Sequence, residues 1–256
     1  MDLGIAGERA LVLGGTKGLG FACAQALSLA GVQVAVNGRS RVEGEAAAKA
    51  VGGVFVAGDL SNEADRQALI ATMRASGAPS IIVTNAGGPP TGQFEEIASD
   101  AWRRAFETNM LAPLEIVRAF LPAMKARGYG RVLNITSFVV KELYPNMSLS
   151  NGLRVGLTGA MGSMAREVAA HGVTVNGLLP GLMDTGALER VIRDRMKRTG
   201  ETEAAVKEAM SASIPMRRLG RASDFGALAA FLASKQAGYI TGQNICIDGG
   251  LTKTVI

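Results

Sequence analysis

The sequence predicts an α/β fold in which a seven-stranded parallel sheet is doubly wound, with helices on both of its faces. Short β-rich apolar runs recur along the chain, and Ala-rich segments long enough for helices separate them. None of the separating segments is as short as a hairpin turn. Because a strand, a crossover helix and a second strand form a right-handed parallel unit, ligands are expected beyond the carboxyl ends of the strands.

Strands are predicted at the short apolar runs that are rich in β-forming residues. In chain order they are Ala10 to Leu13, Val32 to Val36, Val54 to Val56, Ile81 to Thr84, Val132 to Ile135, Val173 to Leu179 and Ile245 to Ile247. Ala and Leu are frequent in the segments between them, as their helix propensity predicts. The predicted helices include Phe21 to Ala30, Ala64 to Ala75, Trp102 to Lys125, Gly156 to Ala170 and Phe225 to Ala233.

One segment, Leu182 to Ser213, has no strand partner. It is polar and charged, and Ile214-Pro215 follows it. The segment is predicted to be an inserted helical lid at about residues 182–213, over the site. A surface excursion without a function is the alternative.

Length and composition indicate one domain, residues 1–256. With 48% hydrophobic residues the chain can bury a core of the size that one α/β domain holds. The N-terminus lacks the pattern of a signal peptide, and no apolar run approaches the about 18 residues of a membrane span. Cys23 and Cys246 lie far apart without metal or redox spacing. We therefore expect a cytoplasmic protein with free, buried thiols, no metal and no membrane contact.

The formal net charge of +5 is spread along the chain. A mild concentration of basic residues between Arg190 and Arg198 is typical of a solvated helix face. Nucleic-acid binding is therefore not expected, and an acidic substrate is the weaker alternative.

A glycine-rich turn follows the first strand and opens into the first helix. Glycines at positions 14, 18 and 20 allow a tight turn and a close approach to a phosphate, which would lie at the N-terminus of the helix. Because the turn joins a first strand to a first helix, it indicates a Rossmann-type dinucleotide site rather than a plain loop. The residues of the turn are Leu13, Gly14, Gly15, Thr16, Lys17, Gly18, Leu19 and Gly20.

The end of the second strand indicates which cofactor is bound. An acidic residue there binds the ribose 2′-hydroxyl of NAD, but this chain has Val36-Asn37-Gly38-Arg39-Ser40. The arginine matches a 2′-phosphate, and Lys17 adds a second cation. NADP(H) is therefore expected, and two solvent-facing bases without a ligand are the alternative.

With these motifs in place, the chain resembles the short-chain dehydrogenase/reductase family over its full length, and most of all its 3-oxoacyl-carrier-protein-reductase-like members. The resemblance implies a catalytic role for Asn109. Other motifs are similar to cofactor-binding segments of the family: Asp59-Leu60 beside the adenine, Asn85-Ala86-Gly87 beside the cofactor, and Pro180-Gly181 with Thr185 at the nicotinamide carboxamide.

The C-terminal region also resembles the family. Tyr239 to Gln243 and Asp248 to Gly250 are similar to the region that helps relatives to form tetramers. The resemblance therefore implies a homotetramer or a homodimer.

The resemblance fails at the catalytic pair. In the family, a serine orients the substrate carbonyl, a tyrosine donates the proton, and a lysine binds the nicotinamide ribose and lowers the pKa of the tyrosine. Ser137 matches the serine, but Ser150 and Arg154 occupy the tyrosine and lysine positions. A serine hydroxyl is a far poorer acid, and an arginine binds hydroxyls without relaying a proton. We expect these two differences to preserve cofactor binding and to remove the usual acid-base step.

Tyr144 is a candidate replacement acid. It lies on the loop after the fifth strand, and Lys141 is expected to lower its pKa. The alternative is that Tyr144, which precedes Pro145, only packs the loop.

The expected substrate is small and apolar, with a carbonyl or acyl group. This follows from the apolar residues expected to line the pocket: Phe94, Phe138, Val139, Leu143, Met147, Leu182, Met183 and Leu188. Core packing explains many of them equally well.

The function expected is hydride transfer between NADP(H) and a carbonyl or alcohol carbon, or an activated alkene, through a non-standard acid-base site. The alternative is an NADP-binding sensor or assembly subunit without turnover.

Overall fold

The structure, a computed structural model, describes residues 2–254 and contains one seven-stranded sheet. All of its strands are parallel, as predicted, in the order β3-β2-β1-β4-β5-β6-β7. The strands are β1 Arg9–Val12, β2 Gln33–Gly38, β3 Val54–Ala57, β4 Ile81–Thr84, β5 Gly130–Ile135, β6 Val173–Pro180 and β7 Asn244–Ile247. The predicted Rossmann-type fold is confirmed.

Helices cover both faces of the sheet. They are α1 Gly18–Leu29, α2 Arg41–Ala50, α3 Glu63–Ser76, α4 Ser99–Phe106, α5 Ala112–Arg127, α6 Ser148–Val168, α7 Gly186–Thr199, α8 Glu203–Ser213 and α9 Ala222–Ala233. One buried cluster joins a face of the sheet to α1, α2 and α9, and a second joins the other face to α3, α5 and α6. Two apolar cores therefore enclose the sheet, which explains why the strand runs are apolar at consecutive positions.

The strand order reverses beside β1. Val12 of β1 pairs with Val36 of β2 on one side and with Val83 of β4 on the other. The loops that follow β1 and β4 diverge to opposite faces of the sheet and leave a crevice between the carboxyl ends of the two strands. This crevice is where a nucleotide is expected.

Two helices differ from their predicted bounds by more than the few residues seen at the other helix ends. The predicted helix from Trp102 to Lys125 is interrupted by a π-helical turn, Glu107–Leu111, between α4 and α5. The predicted helix from Gly156 begins earlier, at Ser148. Its first turns are stabilised by leucines at helical spacing, which pack against α4 and the π turn.

The predicted lid segment is helical, as α7 and α8. Leu188 and Ile192 of α7 pack on Val206 of α8 and form a separate small cluster. Whether these helices act as a lid stays a prediction. Cys23 and Cys246 are both free, but only Cys23 is fully buried. Among the described helices, none combines the length and the apolar character that a membrane span requires.

Candidate active site

The glycine-rich turn forms a cradle at the crevice beside β1. Gly14 has a φ of +55°, and a Cβ there would lie 2.8 Å from the side-chain nitrogen of Asn85. A Cβ on Gly20 would collide with the carbonyl oxygen of Gly14. The Nδ2 of Asn85 donates a hydrogen bond of 3.1 Å to that same carbonyl. The predicted residues after β1 and β4 are thus held together, and only glycine fits at two of the turn positions.

The open side of the cradle fits a pyrophosphate. Gly18 begins α1 with a φ of +58°. The nearest atom to a Cβ added there is the Cβ of Thr185, at 4.0 Å. The first turn of α1 contains no acidic residue, so nothing on the helix competes with an anion for its free N–H groups. Thr185 is the N-cap residue of α7 and lies just beyond Pro180 and Gly181 at the end of β6. The turn after β1 and the segment after β6 therefore face each other.

The end of β2 presents a cation and no acid. Asn37 is buried, and its Nδ2 donates to the carbonyls of Val56 and Gly58. The Arg39 side chain is 80% exposed and lies 3.9 Å from the carboxylate of Asp59. Two residues predicted to bind the adenosine half are therefore neighbours. Lys17 is also near this end of the crevice, but its ammonium is paired with Glu43 at 3.2 Å.

The turn after β3 is held in a defined conformation. Both the backbone N–H and the hydroxyl of Ser61 donate to Asp59 Oδ1, at 2.9 and 2.8 Å. Burial opposes the charge of Asp59, but these hydrogen bonds and the Arg39 guanidinium outweigh it and lower the pKa of the Asp59 carboxyl. The carboxylate is therefore ionised at neutral pH, and it partly neutralises the positive charge of Arg39.

A small cavity at the base of the crevice gathers several predicted residues. Its volume of about 10 Å³ is close to the space of one water molecule. Leu60, Asn85, Ala86, Asn109 and Arg154 line it. The turn after β3, the turn after β4, the π turn and helix α6 therefore meet at this cavity.

Two residues that sequence reasoning missed also line this cavity. Thr84 ends β4 and donates a hydrogen bond of 2.6 Å to Oδ1 of Asn134 in β5. Both side chains are buried. Their signal in the sequence was a polar residue within an otherwise apolar strand, since such a residue must find a partner inside the fold.

Asn109 lies in the π turn between α4 and α5. It is buried, and its Nδ2 donates to the carbonyl of Ala105 at 3.2 Å. The wider turn leaves backbone groups out of the regular α-helical ladder, and such turns are frequent at functional sites. The placement agrees with the role that the resemblance implies for Asn109.

Ser150 and Arg154 lie on one face of α6, one turn apart. The Nε of Arg154 donates to Ser150 Oγ at 3.2 Å, and its Nη1 donates to the backbone carbonyl of Thr136, at the end of β5. Burial lowers the pKa of the Arg154 guanidinium to about 10. The group is therefore still cationic at neutral pH, as the sequence predicted.

Ser137 follows Thr136 and begins a short 3₁₀ turn, Phe138–Val140, on which α6 packs. Its hydroxyl oxygen accepts a hydrogen bond of 3.4 Å from the backbone N–H of Val139. The predicted serine is thus fixed next to the residue that anchors Arg154.

The prediction that Lys141 lowers the pKa of Tyr144 is wrong. Burial, and after it the negative charge of Glu142, raise the pKa of the Tyr144 phenol above its ordinary value. The ring packs edge-on against Phe138 with their centroids 5.1 Å apart, and the backbone carbonyl of Tyr144 accepts a hydrogen bond from Asn151. These contacts are the ones expected of a residue that packs the loop.

The apolar residues predicted to line a pocket do not form one wall. Phe138, Val139, Met183 and Leu188 are buried in the interior, and Phe94 and Leu143 are exposed. Met147 pairs with Gly92, which joins the loop after β4 to the start of α6. Core packing therefore accounts for four of the predicted lining residues, and the loops near Gly92 contribute to the crevice.

A cluster of charged side chains around the buried Arg66 connects two turns of the site, and it was not predicted from the sequence. The Arg66 side chain is 2% exposed and lies 2.7 Å from Glu115 and 3.3 Å from Glu107, the first residue of the π turn. Its Nη1 also donates to the carbonyl of Leu60 at 2.9 Å. One guanidinium therefore ties the turn that carries Leu60 to the turn that carries Asn109. Nothing in the local pattern of α3 distinguishes Arg66 from an exposed arginine.

A glycine cradle at the reversal point of a parallel sheet, with polar residues and a cation at its base, defines a dinucleotide-binding protein of the Rossmann type. Residues 14–252 match the family model described as enoyl-(acyl carrier protein) reductase. The chain belongs to the short-chain dehydrogenase/reductase family.

Individual relatives cover nearly all of the chain. The 3-oxoacyl-(acyl-carrier-protein) reductase FabG of Haemophilus influenzae is 32% identical over 248 residues, 96% of this chain and 98% of the relative. The NADPH-dependent reductase BacG of Bacillus subtilis is 29% identical over 254 residues, with coverages of 96% and 98%. The structure of L-sorbose reductase from Gluconobacter frateurii, complexed with NADPH and L-sorbose, is 25% identical with a TM-score of 0.95, covering 100% of both chains.

Proposed function

We propose that the protein is an NADP(H)-dependent oxidoreductase that transfers a hydride between the nicotinamide and a carbonyl or alcohol carbon, or an activated alkene. The observation that carries the proposal is one cavity lined by Asn85, Asn109 and Arg154, with Asn85 bonded to the glycine cradle. The residues proposed to bind the cofactor and those proposed to react thus lie near each other. Relatives described as NADPH-dependent reductases support the same reading.

The residues of the cradle have separate tasks in this proposal. Gly14, Thr16, Gly18, Leu19 and Gly20 form the turn that receives the pyrophosphate at the start of α1. Arg39 holds the 2′-phosphate, with Lys17 as the second cation of this end.

Other segments position the remaining parts of the cofactor. Asp59 and Leu60 contact the adenine, and Asn85, Ala86 and Gly87 lie beside the bound nucleotide. The carboxamide is held by Pro180, Gly181 and Thr185. When it is bound, NADPH supplies the hydride.

The reacting end uses a non-standard set of groups. Ser137 binds the substrate oxygen, and Arg154 binds the ribose hydroxyls and opposes negative charge that develops on that oxygen. Asn109 holds a water molecule at the cavity. Ser150 occupies the position of the usual acid without its acidity, so the proton comes from solvent, with Tyr144, whose phenol pKa is raised, as the alternative source.

Further parts of the proposal concern the rest of the chain. The chain acts as one domain with α7 and α8 as a lid near the end of β6. The substrate is a small, apolar compound with a carbonyl or acyl group. The segments Tyr239 to Gln243 and Asp248 to Gly250 take part in a homotetramer or homodimer.

Two measurements test the function. NADPH binding is followed by its fluorescence, and turnover by the loss of NADPH absorbance with a panel of aldehydes, ketones, quinones and enones. We expect tight binding and turnover of at least one class. NADPH binding without turnover of any class would instead support a sensor or assembly subunit, which the serine at position 150 favours.

Two glycine variants provide a matched control. A Cβ at Gly87 or at Gly159 would meet no atom within 4 Å, so a side chain at either position begins in open space. Gly87→Val is expected to weaken NADPH binding because its side chain occupies the proposed cofactor space. Gly159→Val, on α6 away from the crevice, is expected to bind NADPH normally. Equal binding by both variants would contradict the proposed site.

A further inference from the structure

The Arg66 guanidinium joins two turns of the candidate site that are far apart in the sequence. On one side its Nη1 donates to the carbonyl of Leu60, in the turn after β3. On the other side its Nη2 lies 3.3 Å from the carboxylate of Glu107, which begins the π turn that carries Asn109. Because the guanidinium is planar and its donors are fixed relative to one another, it sets the distance between these two turns.

Both turns contribute a buried side chain to the cavity at the base of the crevice. Leu60 comes from the adenine end of the proposed site, and Asn109 comes from its reacting end. Arg66 is not among the described residues that line this cavity. Any effect of Arg66 on the cofactor or the substrate is therefore exerted through the two turns.

The turn after β3 is bonded directly to the start of α3. The backbone N–H of Asp59 donates to Oδ2 of Asp65 at 2.8 Å, and Arg66, the next residue of the helix, bonds to Leu60. The backbone N–H of Arg66 donates in turn to the carbonyl of Asn62, so the turn and the helix are continuous. A nucleotide that restrains this turn therefore restrains the Arg66 guanidinium as well.

The π turn has few polar contacts with distant parts of the chain. Its side-chain hydrogen bonds reach back four residues, to carbonyls of α4, and the bond from Asn109 to Ala105 is one of these. Within residues 2–254, the polar contact that joins this turn to a segment distant in sequence is the pair of Glu107 with Arg66. The position of Asn109 therefore depends on Arg66 as well as on apolar packing.

We infer that Arg66 is a positioning residue that couples the two ends of the site. Binding of the adenosine half of the cofactor at the Leu60 turn orders, through Arg66 and Glu107, the turn that carries Asn109. This inference rests on the proposed cofactor site and deepens it. The coupling is reciprocal, so a ligand held at Asn109 strengthens adenosine binding by the same factor.

Hydrogen–deuterium exchange tests the coupling without turnover. The probe is adenosine 2′,5′-bisphosphate, which has the adenine and both adenosine phosphates but no nicotinamide. In the unmodified protein we expect the probe to slow exchange of the backbone amides of residues 107–111 by about fivefold. The amides of α9, on the opposite face of the sheet from α3 and α5, should not slow. Equal slowing in α9 would indicate general stabilisation and would overturn the inference.

Two alanine variants separate coupling from stabilisation of the fold. Glu107→Ala removes the link to the π turn but keeps the 2.7 Å pair of Arg66 with Glu115. It should bind the probe with unchanged affinity and lose the slowing at residues 107–111. Glu115→Ala removes the shorter pair, whose carboxylate is 17% exposed against 41% for Glu107, but keeps the link from Leu60 to the π turn. It should unfold at a lower urea concentration than Glu107→Ala and retain the slowing.

The pattern across the variants decides between the two roles. If Arg66 only stabilises the fold, the slowing is lost in proportion to stability, and Glu115→Ala loses more of it than Glu107→Ala. That result would overturn the inference. So would full slowing in Glu107→Ala, because it would show that the probe contacts the π turn directly.

A control variant and the glycine turn complete the test. Asp100→Ala removes an exposed carboxylate 2.6 Å from Arg103 on α4, and it should behave as the unmodified protein does. Probe binding is read in the same data from slower exchange at residues 14–20. Slowing there without slowing at residues 107–111 of the unmodified protein would overturn the inference alone. The absence of slowing at both segments would contradict the proposed cofactor site as well.

Discussion

Replacing Arg39 with aspartate should narrow or reverse the preference for NADPH over NADH. The Arg39 side chain is 80% exposed and 3.9 Å from Asp59, so it is positioned at the adenosine end but well screened by solvent. Two unit charges about 4 Å apart interact by about 1 kcal/mol in water and about 4 kcal/mol in a partly buried site. For an exposed guanidinium and a phosphate we expect about 2 kcal/mol, which is roughly 30-fold in the ratio of dissociation constants.

The assay is a fluorescence titration of both nucleotides at low and high salt. The preference of the unmodified protein should shrink in high salt, because ions screen an exposed pair. Lys49→Asp makes the same change of charge at the far end of α2 and should leave the ratio nearly unaltered. Equal affinities for NADPH and NADH in the unmodified protein would refute the reasoning, and so would an unchanged ratio in Arg39→Asp.

Three other variants test the inner site. Arg66→Met should lower the free energy of unfolding in urea by about 3 kcal/mol, because it leaves two carboxylates and a buried carbonyl without their cation. A loss below about 1 kcal/mol, the value of an exposed pair, would contradict this. Tyr144→Phe should leave turnover and NADPH affinity nearly unchanged, since the pKa of the phenol is raised. A loss of about 100-fold, the contribution of a general acid, would instead assign the proton to Tyr144. Ser150→Tyr with Arg154→Lys should gain ketone reduction, and each single change much less, because the pair shares one helix face. A folded, NADPH-binding double variant without any gain would show that the substrate pocket also differs.

The sheet was predictable because its signals are local. Each strand contains a short run rich in apolar residues, and the glycine turn follows the first of them directly. The residues around the cradle could be placed in the same way, since the carboxyl ends of parallel strands meet at one edge. Asn85 and Gly14 are in contact for this reason.

The family spacing places Ser150 and Arg154 on one helix face, but the first residue of α6 and the π turn could not be predicted, because contacts distant in sequence determine them. Ser148 to Gly152 resembles a loop when it is taken alone. It is helical because Leu149 and Leu153 pack against Trp102 of α4. Asn109 lies in a π turn whose first residue, Glu107, is held by Arg66 of a different helix.

The pKa of Tyr144 was mispredicted for a related reason. Proximity in sequence suggested Lys141 as its charged neighbour, but burial and Glu142 determine the shift. Charge effects depend on which side chains face each other, and the positions of residues in a loop do not reveal this.

The pH dependence of hydride transfer tests the central claim most directly, that a permanent cation replaces a titrating tyrosine and lysine. The rate is measured in a single turnover by stopped flow with a carbonyl compound that the panel identifies as a substrate. Arg154 keeps its proton below its pKa of about 10, and stabilisation of the oxyanion is lost only as the pH rises through that value. The rate should therefore be flat between about pH 6 and pH 9 and fall near pH 10. A fall with a midpoint between about pH 6 and pH 9 would require an acid that titrates in that range, which neither Arg154 nor Tyr144 with its raised pKa does, and would contradict the account.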